Sequence, residues 1–201
     1  MVSRDIESAS SVVGIKPVQP YLPHVAYEGH SLSVGDLERA DILAEGIGAV
    51  ETPSALRVAL RFLDLALVED LWEIRILNIW IGLEALFGPM DQYPVSRTIA
   101  KRVACFLNPD RGSAADTTFQ IVAERYGERN EIVHGMRVKQ YPEEEIKRIV
   151  LETESILRTC LLKIIPDTEF QRSFSADERE AYLETLTKGY HPPNPSLKPP
   201  V

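Results

Sequence analysis

Apolar residues recur at helical spacing through almost the whole middle of the chain. Between Ser33 and Ile47, the residues Leu37, Ala40, Leu43 and Ile47 share one face, the repeat of an amphipathic helix. Thr52-Pro53 is a start signal, a capping hydroxyl followed by proline at the first helical position, and Leu56, Ala59, Leu60, Leu63 and Leu67 then form one stripe. Leu71 to Phe87 is apolar nearly all round, the pattern of a helix at the centre of a bundle, and Gly88-Pro89 stops it. Ser96 to Leu107 turns Ile99, Val103, Phe106 and Leu107 inward and Arg97, Lys101 and Arg102 outward, and Asn108-Pro109 ends it. The pattern predicts a helix over Ala114 to His134, with a break or kink near Gly127 and a stop at Gly135. Pro142 opens a long helix to about Ile164, whose first turn carries Glu143, Glu144 and Glu145 against the positive end of the helix dipole. A short helix from about Ala176 to Thr187 closes the series.

No segment sustains the period-two alternation of a strand, and no repeat of 20 to 50 residues is visible. The expectation is an all-α protein: an antiparallel bundle of about five core helices, beginning at Pro53, Leu71, Ser96, Ala114 and Pro142. Residues 1–30, with Pro17, Pro20 and Pro23, read as an extended linker or the end of an upstream domain. Residues 31–188 read as the helical domain, with its core over 53–164, and 189–201 as a disordered proline-rich tail.

At 201 residues and 44% hydrophobic, the chain suffices for one domain with a sizeable core. No apolar run approaches the roughly 20 residues of a membrane span, and the N-terminus lacks the apolar region of a secretory signal, so the expected location is the cytoplasm, without membrane contact. The net charge of −8 argues against a general nucleic-acid coat protein but leaves room for a small basic site, and it suits a partner with basic patches. Cys105 and Cys160 sit among apolar neighbours on separate helices and read as buried free thiols. His24, His30 and His191 have no companion at ligand spacing, so no metal site and no cofactor is expected. No glycine-rich phosphate loop and no paired-cysteine motif is present.

The segment Arg129-Asn130-Glu131-Ile132-Val133-His134-Gly135 carries the candidate chemistry. Asn130 and His134, four apart, share a helix face, while Arg129 lies about 140° around from His134. Arginine offers a planar, permanently charged fork to phosphate oxygens, and histidine gives and takes protons near neutrality. Together they suit a phosphodiester attacked by its own 2′-hydroxyl, a reaction that needs a base, an acid and charge stabilisation. The same residues also fit a plainer arrangement, a histidine at the negative end of a helix with glycine taking the left-handed position, and Arg129 in a solvated cluster with Glu128 or Glu131. Glu84 interrupts an apolar run; partly buried, it needs a partner, for which Arg129 is the candidate, whereas on a wet stripe with Glu73 and Asn78 it needs none. Arg97, Lys101 and Arg102 form a basic face able to follow an RNA backbone, or simply a solvated one.

Three segments in order resemble the Apea-like branch of the HEPN superfamily. They are Asn78-Ile79-Trp80-Ile81-Gly82-Leu83-Glu84-Ala85-Leu86-Phe87-Gly88, then Arg97-Thr98-Ile99-Ala100-Lys101-Arg102-Val103-Ala104-Cys105-Phe106-Leu107, then Arg129 to Gly135. The resemblance spans about Pro53 to Ile164. It implies a helical bundle that dimerises with the Arg-x4-His element at the dimer cleft, and an activity found in many members, metal-independent RNA cleavage in defence, stress response or toxin-antitoxin systems. Carried over by position, Arg129 and His134 are the catalytic pair and Asn130 the polar neighbour that places the phosphate; Glu84, from its place in the apolar run, is expected as a supporting residue behind them. A homodimer has a physical rationale, because in-line attack wants a base and an acid, and a two-fold axis brings two copies of His134 to one cleft. Since fold membership does not settle function, the expectation of an endoribonuclease acting on RNA stands beside two others: a non-catalytic regulatory module with a protein partner, and a domain that binds a nucleotide without cutting.

Overall fold

The structure is a computed structural model describing residues 33–50, 54–90, 95–134 and 141–193. Eight helices appear among them, with no strand: α1 (Val34–Ala49), α2 (Ala55–Leu67), α3 (Trp72–Phe87), α4 (Val95–Leu107), α5 (Gly112–His134), α6 (Glu143–Ile164), α7 (Thr168–Ser173) and α8 (Arg179–Thr187). The protein is an all-α bundle. None of these helices is long and apolar enough to cross a membrane.

α3 is the central element, packed against α2, α4, α5 and α6, as its all-round apolar pattern requires. Ile76, Ile79, Trp80, Leu83, Leu86 and Phe87 are all buried. Gly82 permits this density: a Cβ there would lie 2.9 Å from Leu157 Cδ2 and 3.5 Å from Ala59 Cα, so α2, α3 and α6 close on one another only because the position has no side chain. Gly88 ends the helix in extended conformation, its N–H donating to Glu84 O at 2.7 Å; a Cβ would strike that same carbonyl. The stripe on α2 points inward as expected, with Leu56 and Ala59 buried and Leu60 and Leu63 packed against the core.

The helix boundaries and the extent of the core depart from the sequence reading in several places. α2 is capped by Ser54, whose hydroxyl accepts from Arg57 N at 3.2 Å; Thr52-Pro53 lies outside the described residues. A nearer hydroxyl took the capping role. α5 is continuous through Gly127, and no break occurs there; the position is open to solvent, so no packing requirement bends the helix. α1 forms with a reciprocal cap between Ser33 and Asp36, yet none of its residues is buried, and of its predicted apolar face only Leu43 packs against the core. Gly135, the expected stop of α5, is outside the described residues.

The core also runs past Ile164. α7, which was not expected, and α8, which starts at Arg179 rather than Ala176, bring Phe174 and Leu183 fully inside. Phe174 meets Phe87 and Phe106 with ring centroids 5.5 Å apart in each pair. Tyr190, within the stretch expected to be a disordered tail, is buried and donates its hydroxyl to Asp116 Oδ1 at 2.8 Å. Residues 194–201 of that tail, and the 1–30 segment, lie outside the described residues. Cys105 and Cys160 are buried free thiols, and burial pushes both thiols up from their ordinary range.

Candidate functional site

α3 and α5 together present the candidate chemistry. Trp80 and Glu84, four apart, share a face of α3; Tyr126 and Arg129 meet them from α5, with Asn130 beside Arg129. Arg129 Nη2 lies 3.1 Å from Glu84 Oε1, the partner that a half-buried carboxylate required. Arg129 Nη1 donates to Asn130 Oδ1 at 3.3 Å, which turns the Asn130 amide nitrogen away as a further donor. Neither member of the ion pair is sealed, since the two side chains retain 23% and 29% of their accessible surface. Glu84 Oε1 and Arg129 Nε are buried atoms and make no hydrogen bond with the described protein.

Tyr126 completes the arrangement, and nothing in the sequence reading singled it out. The Arg129 guanidinium carbon sits 5.4 Å from the centroid of its ring, and Trp80 meets the same ring edge-on at 5.0 Å. Burial raises the Tyr126 phenol above its usual range; the neighbouring negative charge of Glu84 pushes the same way, and Arg129 opposes both. The signal available in the sequence was the three-residue interval from Tyr126 to Arg129, which stacks the two on a helix.

His134 is the last residue of α5 and is exposed. It makes no hydrogen bond or ion pair with another described residue, so no direct bond ties the imidazole to Glu84, Arg129 or Asn130. The basic face divides more sharply. Arg102 is buried, not outward: it donates to Phe87 O at 3.2 Å and Gly88 O at 3.0 Å and pairs with Glu180, so it is unavailable to an RNA backbone. The periodicity of α4 put it on the wet side, but α8 covers that side. Lys101 is half-buried. Arg97 is exposed, its guanidinium 5.6 Å from the Phe119 ring centroid. Phe119 precedes Arg129 by ten residues of α5, about 15 Å of helix rise.

A second polar cluster on the same helix also escaped the sequence reading. Arg125 is 1% exposed and holds Glu128 with Nη1 at 2.6 and 2.7 Å, while its Nε lies 3.1 Å from Glu152 Oε2 on α6. Burial lifts the Glu128 carboxyl to about 7, although Arg125 and Arg148 pull it down. Beyond it the Tyr141 hydroxyl donates to Glu131 at 3.1 Å, and burial with that contact pushes the phenol up to about 12. Among the described residues no group of His, Cys, Asp and Glu has a metal-binding arrangement. No family model, no curated protein and no solved structure matches the chain.

Proposed function

We propose that this protein is an endoribonuclease that works without a metal ion, of the kind the HEPN resemblance implies, acting in the cytoplasm at a two-fold cleft. The observation that carries the reading is the seating of Arg129. A guanidinium held by Glu84 and Asn130, with part of its surface open, is pre-organised to receive a phosphate and keeps an asparagine donor beside it. In the reaction, the 2′-oxygen of RNA bonds to the adjacent phosphorus while the bond to the 5′-oxygen breaks. One imidazole takes the 2′-hydroxyl proton and another supplies a proton to the leaving 5′-oxygen, giving a 2′,3′-cyclic phosphate and a 5′-hydroxyl. Arg129 bears the charge that grows on the phosphorane oxygens. His134 stands one turn beyond Arg129, exposed, so a second copy is needed to supply the second imidazole. Ile74 and Ile81, seven residues apart on α3, and Val133 on α5 are exposed apolar residues of the two site-bearing helices, available for a second copy to cover.

RNA incubated with the protein and a chelator tests this. Expected are products ending in cyclic phosphate, lost on His134→Ala and on Arg129→Ala with helical circular dichroism unchanged. A folded, dimeric wild type that cuts no RNA ends the proposal.

A non-catalytic module with a basic protein partner is the second reading, and the acidic surroundings of the site favour it. Glu128, Glu131, Glu143, Glu144 and Glu145 lie on the end of α5 that bears the site and on the start of α6. Under this reading His134→Ala leaves partner binding intact, and charge reversal at Glu143 and Glu144 weakens it.

A further inference from the structure

Arginine carries its charge on a long, flexible stem, and Glu84 and Asn130 each hold one outer nitrogen of the fork while leaving the guanidinium plane free to tilt about the line between them. Tyr126 supplies the missing constraint. Its ring lies under the guanidinium carbon at 5.4 Å, and the ring is itself wedged by Trp80 at 5.0 Å and an interplanar angle of 81°. Trp80 is fully buried and Tyr126 is 6% exposed, so neither ring has room to swing. Glu84 and Trp80 stand one turn apart on α3, so one face of that helix holds both the carboxylate that pairs with the guanidinium and the indole that wedges the Tyr126 ring.

We propose that Tyr126 is a positioning residue for Arg129, a ring platform that sets the plane of the guanidinium so that its outer N–H groups and the Asn130 amide converge on one oxyanion. Its kinetic consequence rests on the nuclease reading, but its effect on anion binding does not. A positioned cation binds a tetrahedral oxyanion in one geometry, whereas a loose one binds it with a rotamer penalty at each encounter.

Two substitutions separate ring from hydroxyl: Tyr126→Phe keeps the platform and Tyr126→Leu removes it. Inorganic phosphate is titrated into the full chain and followed at the Arg129 Nε–Hε resonance. Wild type and Tyr126→Phe should bind within about twofold of each other, and Tyr126→Leu about tenfold more weakly, the scale of a partly desolvated cation–π contact. On RNA, Tyr126→Leu should lower kcat about tenfold with KM within about twofold, and Tyr126→Phe should restore kcat. Unchanged phosphate affinity at Arg129 in Tyr126→Leu overturns the proposal, whatever happens to RNA. A wild type that cuts no RNA yet shows the phosphate effect removes the nuclease reading and leaves the positioning role standing. Should Tyr126→Leu lose its helical signal, the wild type itself decides. Arg129 Hδ protons shifted upfield by the Tyr126 ring current support the platform, and random-coil positions overturn it.

Discussion

Glu128 shows how a single side chain makes this protein sensitive to pH. Its carboxyl has an ordinary value of 4.5 in the unfolded chain and is lifted to about 7 in the fold. The fold therefore prefers the protonated form. The stability this group contributes is complete below about 4.5 and is lost as pH rises through about 7. Glu128→Gln mimics the protonated state, so its melting temperature relative to wild type should climb between pH 5 and pH 8; a constant difference would mean that Arg125 outweighs burial. Arg102 makes a different point. Alanine there strands Glu180 and uncaps two carbonyls at the end of α3, a loss of about 3 kcal/mol in chemical denaturation. Lysine should recover only part of that loss, lacking the planar fork. The Glu84 to Arg129 pairing was one of two alternatives the chain offered, because a carboxylate inside an apolar run needs a cation if buried and none on a wet stripe; the fold chose the first. Arg125 and Arg102 were not legible, because an arginine in a mixed-charge helix looks alike whether solvent or another helix faces it.

Helices were the most readable level. α2, α3, α4 and α6 fall close to where apolar spacing and the stop signals put them, since each has one wide face that must leave water. Glycines were misread in both directions. Gly127 looked like a break, yet the helix runs through it with nothing within 4 Å of a Cβ; Gly127→Ala should therefore stabilise the fold by about 0.5–1 kcal/mol, measurable as a higher denaturation midpoint. Gly82 drew no notice, yet it is where three helices converge, and Gly82→Val should cost about 1–3 kcal/mol through overpacking against Leu157 and Ala59. If the two substitutions act alike, the packing around α3 is looser than these distances indicate. α7 was missed because its six residues are too few to show a period.

The proposed two-fold assembly belongs to the whole molecule. Ile81→Asp should convert a dimer to a monomer in sedimentation while preserving helicity, and RNA cleavage should fall with it; a monomer that still cuts would place the second proton carrier within one chain. The sequence by itself determined that this is a helical protein, which helix is central, which cysteines are buried and which residue types are candidates for phosphate chemistry, because helical periodicity and side-chain type are local properties. Only the tertiary structure decided that Tyr126 underlies Arg129, that α8 buries Arg102, that His134 is exposed, and that Phe174 and Tyr190 belong to the core. Those outcomes depend on which helix lies against which, and that choice is made by the sum of packing over the whole bundle rather than by any one segment.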